Sequence, residues 1–269
     1  MAQEAVLGST TRPKIWADAV YKSYIVDGKR EPVLAGVQLT VNAGELVSII
    51  GPSGCGKSTL LNIIAGLDQP DAGTVELDGD PDVNRLGRVG YMQQKDLLLP
   101  WRTVLDNAAL GLEIHGLPRR QARRQALELT SLFGLSGYEH QYPFTLSGGM
   151  RQRAAFLRTM LLDQDVVLLD EPFGALDALT RVQMQEWLME LWGTLKMTII
   201  LITHDVDEAI LLSDRVYVLT ARPAKINMVM EVNLSRPRDF KNVTDPDFIQ
   251  LKSRLLALLH EESSKQIRL

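Results

Sequence analysis

The sequence feature that most constrains the fold is the segment GPSGCGKST at residues 51–59. It follows an apolar run of strand length, residues 46–50, and precedes a helical pattern of apolar residues. Glycines let the chain turn so tightly that successive backbone N–H groups point inward, and the following helix begins there with its positive dipole end. The spacing G-x-x-x-x-G-K-[ST] in this strand–loop–helix setting therefore predicts a loop that binds phosphate groups.

Individual side chains of this loop have separate predicted roles. Lys57 supplies a mobile positive charge for the β- and γ-phosphates of a nucleotide, and the Ser58 hydroxyl suits the coordination shell of Mg²⁺. Cys55 is either a nucleophile or a small side chain near a helix start, and the second interpretation is favoured because no histidine is near it in the sequence. The residues expected to contact the nucleotide are Gly51, Pro52, Ser53, Gly54, Cys55, Gly56, Lys57, Ser58 and Thr59.

Apolar runs of strand length alternate along the chain with amphipathic helical patterns. Several of these runs are apolar on both faces, which is typical of strands in a mostly parallel sheet covered by helices. The predicted fold class is therefore α/β. The runs are residues 33–41, 46–50, 74–77, 89–92, 166–169, 198–202 and 216–219, and the helical patterns are 58–66, 148–162, 176–195 and 205–212.

Three stretches depart from this alternation. Residues 103–141 show no strand-like run and are rich in short helical patterns, so we interpret them as a helical subdomain inserted in the sheet. The pair Asp78-Gly79 follows a strand-like run and indicates a tight hairpin turn in an antiparallel section. Towards the C-terminus, an alternating piece at residues 226–234 precedes a terminal helix at 247–260.

Composition and charge exclude several classes of protein. A single cysteine permits no intrachain disulfide, which fits a reducing compartment. With 29 basic and 33 acidic residues, the net charge of -4 gives no general reason to expect binding to nucleic acid or anionic lipid. No apolar run approaches the roughly 18 residues of a membrane-spanning helix. The first residues lack a secretory-signal pattern, so the cytoplasm is the expected compartment.

Polar residues follow two of the apolar runs at the point where each strand ends. Asp170 and Glu171 follow residues 166–169, and His204 follows residues 198–202. Ligands of α/β sheets bind beyond the carboxyl ends of strands. Asp170 is the expected Mg²⁺ ligand, directly or through water. Glu171 is expected to point at a water in line with the γ-phosphate, either as its general base or as the group that orients and polarises it. His204 is expected to reach the γ-phosphate from the same edge.

A second anion-binding surface is predicted at residues 146–153, which read LSGGMRQR. Ser147 is suited to be a helix N-cap, and Gly148 and Gly149 expose backbone N–H groups at the helix start. This surface and Lys57 are far apart in the sequence and lie on different subdomains, so one γ-phosphate is not expected to touch both within one chain. A head-to-tail pair of chains would bring them together.

Together these motifs resemble those of the ATP-binding subunit of ABC transporters, across residues 14–225. The resemblance rests on GPSGCGKST (51–59, Walker A), YMQQ (91–94, the Q-loop), LSGGM (146–150, the signature), VVLLDEP (166–172, Walker B), GALD (174–177, the D-loop) and ITH (202–204, the switch histidine). It implies a P-loop NTPase parallel-sheet core with an antiparallel β subdomain and an α-helical subdomain inserted at about residues 95–160. Residues 226–269 would form a short strand and helix without a separate regulatory domain.

The resemblance also implies a homodimer or heterodimer that sandwiches two ATP molecules with Mg²⁺. Each ATP would be held by Walker A of one chain and by Ser147, Gly148 and Gly149 of the other, and Asp177 of the D-loop would belong to the same site. Met150 replaces the glutamine that is most common at the end of the signature, which removes a polar contact to nucleotide but no phosphate donor.

Two further roles carried over from the resemblance have alternatives. Tyr24 is expected to stack on adenine, with Tyr21 as the alternative, because the face of an aromatic ring suits a purine. Gln94 is favoured over Gln93 as the Q-loop residue that senses Mg²⁺ or the attacking water.

The activity implied is ATP hydrolysis that drives an importer. The segments LLLPWRTVLDN and LTARPAKI resemble the branch that serves nitrate, sulfonates, taurine or pyrimidine-type vitamin precursors. The implied partners are transmembrane permease subunits and a solute-binding protein, but no nucleic acid, with the chain peripheral on the cytoplasmic face of the inner or plasma membrane. An exporter subunit, a soluble non-transport ABC ATPase and a regulatory nucleotide switch are the alternatives.

Two surface features are open to two interpretations each. The apolar group Leu98, Leu99, Pro100 and Trp101 would face a membrane subunit or belong to the subdomain core. The arginines form either a solvated helix face, which is favoured, or a partner-facing patch. They are Arg119, Arg120, Arg123 and Arg124.

Overall fold

The computed structural model describes residues 12–162 and 164–267, with side chains up to residue 265. Most of the N-terminal segment 1–14, in which no secretory-signal pattern is expected, lies outside the described residues, which begin at residue 12. The strands are β1 (Ile15–Val26), β2 (Lys29–Val41), β3 (Leu46–Ile50), β4 (Ala72–Leu77), β5 (Gly90–Met92), β6 (Val166–Asp170), β7 (Thr198–Ile202), β8 (Arg215–Leu219) and β9 (Ile226–Glu231). The helices are α1 (Lys57–Ile64), α2 (Val104–Ala108), α3 (Leu110–Ile114), α4 (Arg119–Leu129), α5 (Gly148–Met160), α6 (Ala178–Leu195), α7 (Val206–Leu212) and α8 (Pro246–Ile267).

The main sheet has six strands in the order β5-β6-β7-β3-β8-β9, and only its last pair, β8 with β9, is antiparallel. Every residue of β3, β6 and β7 is buried, because helices cover both faces of the sheet. The predicted α/β class with a parallel core is confirmed. The order places β3, which leads into the phosphate loop, between β7 and β8.

A second, antiparallel sheet has the order β2-β1-β4. Its strand β1 was not among the predicted strands, because bulges interrupt its apolar alternation, with register shifts between Ala17 and Val20 and a positive φ of 47° at Ala19. Asp27-Gly28 forms the hairpin turn between β1 and β2. The tight turn expected at Asp78-Gly79 is present: both residues have positive φ, and Leu77 and Asp80 pair antiparallel across them. The pairing stops at this single bridge, so the turn does not join two long strands.

The helices α2 to α5 lie between β5 and β6, and the described part of residues 103–141 contains short helices and no strand, as predicted. This helical part shares a core with the sheet. Phe156 on α5 lies 5.3 Å from Trp187 on α6 and 6.4 Å from Phe173, measured between ring centroids. Phe133 contacts the same Trp187 ring edge-on at 5.2 Å. The buried rings tie the inserted helices to the strand that ends at Asp170.

The C-terminal piece continues the main sheet and then covers it. The predicted alternating run forms β9, and α8 packs Phe248 and Leu255 against α7 in a buried cluster. The helix extends to Ile267, past the predicted end at residue 260, because its last turn is polar and gives no apolar periodicity. Lys265 there pairs with Glu261 and Glu262. The domain division at residues 225 and 226 stays a prediction.

No helix that the structure describes is long and apolar enough to cross a membrane.

We predict that Phe156→Ala lowers the free energy of unfolding by about 3 to 5 kcal/mol, because it leaves a cavity among the aromatic rings that join the helical insertion to the sheet. Phe144→Ala is the matched control, since Phe144 is 74% exposed. It should change stability by less than about 1 kcal/mol. Urea denaturation followed by circular dichroism measures both, and equal losses would contradict the shared core.

Candidate active site

The loop between β3 and α1 encloses its own lysine. The Lys57 ammonium donates hydrogen bonds to the carbonyl oxygens of Gly51 and Pro52, at 2.9 and 3.0 Å, and the residue is buried. Gly56 has a φ of 121°, and a Cβ there would lie 2.8 Å from Cγ1 of Val33. Only glycine fits this position, because strand β2 passes directly behind the loop.

Cys55 lies inside this loop and is fully buried. Burial raises the pKa of its thiol, and the nearby Lys57 charge opposes that shift only in part. The thiol is therefore protonated near neutral pH, which supports the interpretation as a small packing side chain over the nucleophile.

Asp170, the last residue of β6, is buried beside the loop. Its pKa is raised, chiefly by burial, while a hydrogen bond with the Ser58 side chain opposes the shift. The nearby charge of Glu171 adds to the rise and that of Lys57 opposes it. The structure thus brings Ser58 and Asp170, two of the three predicted metal ligands, into contact.

Glu171 lies where the carboxyl ends of three neighbouring strands bring their side chains together. Its Oε2 accepts a hydrogen bond from Nε2 of Gln94 at 2.8 Å and lies 3.6 Å from Nδ1 of His204. These residues follow β5, β6 and β7, which are neighbours in the sheet, so their side chains converge at one edge. Glu171 has a φ of 47°, and its N–H donates to the carbonyl of Ile202 at 2.9 Å, which fixes the carboxylate at this edge.

A cleft of about 560 Å³ joins the loop to this cluster. Its lining residues are Ser53, Gly54, Gly56, Lys57, Ser58, Thr59, Gln94, Glu171, His204 and Arg222. Arg222 is the one of these that sequence reasoning missed. The signal that could have found it is a basic residue just after a buried strand, since β8 ends at the same sheet edge as β3.

The two tyrosines differ in their surroundings. The Tyr24 hydroxyl donates to Oδ2 of Asp68 at 2.7 Å and also interacts with Thr59 at the end of the phosphate loop. The Tyr24 ring is 38% exposed. Tyr21 instead covers Gly36 on the neighbouring strand, where a Cβ would lie 2.8 Å from its hydroxyl oxygen.

The signature and the D-loop lie side by side at the starts of two helices. Ser147 caps α5 by accepting from the N–H of Met150 at 3.2 Å, and Asp177 caps α6 by accepting from the N–H of Thr180 at 3.0 Å. A Cβ at Gly149 would lie 2.6 Å from Cγ2 of Thr180, so the absence of a side chain at Gly149 allows the starts of α5 and α6 to pack this closely. Within the described part of the chain, neither Ser147 nor Asp177 lines the phosphate-loop cleft.

A buried network of polar side chains lies behind His204, at the same edge of the sheet. Glu208 on α7 accepts hydrogen bonds from Nε2 of Gln185 at 3.0 Å and from the Thr203 hydroxyl. Burial raises the pKa of its carboxyl group. Gln185 belongs to α6, which begins at Asp177, and Thr203 directly precedes His204. Sequence reasoning did not identify this network, because its members are distant in sequence.

The strand order, the phosphate loop and the acidic strand end beside it define a P-loop nucleotide-binding ATPase core. Comparison with known proteins identifies the group: residues 34–174 match the family described as ABC transporter. The chain belongs to the ABC transporter family, as the resemblance predicted, and it is an ATPase of this class.

Curated relatives are similar over most of their length. The formylaminopyrimidine import ATP-binding protein ThiZ of Halalkalibacterium halodurans is 44% identical over 86% of this chain and 92% of the relative. The aliphatic sulfonates import ATP-binding protein SsuB of Bacillus subtilis is 42% identical over 88% and 90%. The taurine import ATP-binding protein TauB of Yersinia pestis is 40% identical over 86% and 93%.

Two solved structures are similar in fold and sequence. A dimeric structure of a bacterial ABC transporter cassette has a TM-score of 0.72 and 30% identity, covering 82% of this chain and 100% of that one. A dimeric post-hydrolysis state of an ATP-binding cassette, bound to ADP and Pi, has a TM-score of 0.72 and 29% identity with the same coverage.

We predict that Glu208→Ala lowers the free energy of unfolding by roughly 2 to 4 kcal/mol, because it leaves the buried Gln185 amide and Thr203 hydroxyl without an acceptor. Asp207→Ala is the matched control, because Asp207 is 40% exposed and pairs with Lys252. It should cost less than about 1 kcal/mol. Urea unfolding curves compare them, and a Glu208 variant as stable as the control would show that the network does not support the edge.

Proposed function

We propose that this chain hydrolyses ATP to drive the import of a small solute through attached membrane subunits. The observation that carries the proposal is the convergence of Gln94, Glu171 and His204 on one edge of the phosphate-loop cleft. The relatives named above, each an import ATP-binding protein, support the direction of transport.

The loop and Lys57 would hold the phosphate chain of ATP, with the γ-phosphate towards Glu171. Glu171 then accepts a proton from a water molecule whose oxygen attacks the γ-phosphorus, and the bond to the β–γ bridging oxygen breaks to release ADP and phosphate. Gln94 orients the same carboxylate or water, and His204, which is 58% exposed, has room to donate a hydrogen bond to the γ-phosphate. Adenine would stack on Tyr24, the tyrosine beside Thr59.

The residues next to the loop fit Mg²⁺. Ser58 and Asp170 present a hydroxyl and a carboxylate, both of which belong to the oxygen donors that Mg²⁺ prefers. Across residues 12–162 and 164–267, no three His, Cys, Asp or Glu side chains group as a metal site. This suits an ion that takes its remaining ligands from water and substrate phosphates. When bound, Mg²⁺ would neutralise charge on the β- and γ-phosphate oxygens. The amide of Gln94, the third predicted ligand, donates to Glu171 here.

The nucleotide site would be completed by a second copy or a related cassette. Ser147 is exposed at the start of α5, away from the cleft of its own chain, with Asp177 beside it. A head-to-tail dimer would place Ser147, Gly148 and Gly149 of one chain over the γ-phosphate held by the other. The dimeric structures of similar cassettes support this arrangement.

The segment that follows Gln94 is the proposed contact with the permease. Leu98 is buried and belongs to the core, whereas Trp101 is 71% exposed and is the part of this apolar group that would be available to a membrane subunit. Arg158 on α5 donates to the carbonyl oxygens of Asp96 and Leu97, both at 2.6 Å. A displacement of this segment would therefore act directly on the signature helix.

The solute would be a sulfonate, taurine, nitrate or a pyrimidine-type precursor, selected by the permease and a solute-binding protein rather than by this chain. The chain would sit peripherally on the cytoplasmic face of the membrane.

Two arginines of the basic cluster, Arg119 and Arg123, pair with Asp106, which supports the solvated helix face over the partner-facing patch. Co-purification with a polytopic membrane protein would separate this function from those of non-transport ABC ATPases.

We predict that Glu171→Gln keeps ATP binding but lowers hydrolysis by about 100-fold or more, because the amide cannot accept the proton of the attacking water. Glu190→Gln, an exposed change on α6, is the control and should hydrolyse ATP at the parental rate. Phosphate release measures turnover, and size exclusion with ATP reports a trapped dimer. Normal turnover of the Glu171 variant would rule out its role as base.

Mixed dimers test the shared site. Lys57→Ala and Ser147→Arg should each abolish hydrolysis when tested alone. In a mixture of the two variants, about half of the dimers should contain one chain of each kind, and each such dimer has one intact site of two. The mixture should therefore regain about a quarter of the parental rate. The control mixes Lys57→Ala with a chain that carries both changes, which can form no intact site. Absence of recovery in the first mixture, with dimers present, would contradict a site shared between chains.

A further inference from the structure

Arg222 stands beside the phosphate loop on a fixed segment of backbone. It follows β8, whose Leu219 lies against Gly51 at the start of the loop. Two residues later, Ala224 donates to the carbonyl of Val33 at 2.8 Å and accepts from the N–H of Ala35 at 2.9 Å. Strand β2 therefore anchors the backbone of this segment next to the loop.

The Arg222 side chain faces the cleft with little to restrain it. Among the described residues, its ion-pair partner is Glu31, at 4.0 Å, and the two side chains are 45% and 49% exposed. Its charge acts on the Cys55 thiol within the loop. Arg222 lines the same cleft as Ser53 and Gly54 of the loop.

Two residues of the described lining, Lys57 and Arg222, have basic side chains. The Lys57 ammonium is already held by two loop carbonyls, whereas the guanidinium of Arg222 has one long ion pair. A guanidinium presents a rigid fork of N–H donors that matches two oxygens of a phosphate group, and such charge-assisted pairs are among the stronger hydrogen bonds.

We propose that Arg222 is a second cationic phosphate-binding residue of the nucleotide site, which leaves Glu31 and binds the phosphate chain of ATP when the nucleotide enters. This assignment rests on the proposed nucleotide binding at the loop. Glu31 would serve as the resting partner of the guanidinium and would take no part in the bound state.

The test measures equilibrium binding to the full chain by isothermal titration calorimetry, with MgATP and with inorganic tripolyphosphate. Arg222→Ala should weaken MgATP binding by roughly ten-fold, and Arg222→Lys by less, because the ammonium keeps the charge without the fork. The same loss is expected for tripolyphosphate. Glu31→Gln should bind both ligands at least as tightly as the parent.

Arg30→Ala is the matched control, because Arg30 is exposed on the same strand as Glu31, pairs with Asp71, and is not among the described residues that line the cleft. It should leave both affinities unchanged, and thermal melting of each variant checks that the chain is folded. Arg222→Ala binding within two-fold of the parent would overturn the proposal. So would a loss seen for ATP but not for tripolyphosphate, because the arginine would then contact the base or sugar.

A Lys57→Ala variant separates this proposal from the function on which it rests. If the parent binds MgATP and Lys57→Ala does not, nucleotide binding at the loop stands, and the Arg222 results then decide the inference alone. If the parent and Lys57→Ala bind MgATP equally, the loop assignment itself fails, and the Arg222 proposal fails with it.

Discussion

The parallel pairing of β3, β6 and β7 is the constraint on which the site depends. Ile202 of β7 pairs with Ile49 of β3 on one side and with Asp170 of β6 on the other. The carbonyl of Ile202 then accepts from the N–H of Glu171, so the ladder continues one residue past the end of β6. The side chains of the candidate site, which are far apart in the chain, meet because these strands end level with one another.

The inserted helices carry the second surface that the sequence predicts to bind nucleotide. They share buried rings with the sheet, yet they present Ser147 away from the cleft that their own sheet supports. Arg158 connects the signature helix to the segment after Gln94, and Gln94 contacts Glu171. Contacts therefore link α5 to residues 96 and 97, and the same segment reaches the Glu171 carboxylate through Gln94.

Much of this could be predicted from the sequence, because the phosphate loop and the acidic and histidine strand ends are local patterns. Apolar runs also placed β3, β6 and β7 correctly. What escaped prediction depends on distant contacts or broken periodicity. Bulges hide β1, the Glu208 network joins three separate elements, and Arg222 reaches the cleft only because β8 is a neighbour of β3. The roles of the individual site residues stay predictions.

The close approach of Gly149 to Thr180 has a mechanical consequence. Because Gly149 has no Cβ, its backbone lies directly against the side chain of Thr180, so the first turns of α5 and α6 are in close contact. We therefore expect the two caps, Ser147 and Asp177, to move together. Any tilt of the helical insertion would carry both loops toward or away from an opposing subunit at the same moment.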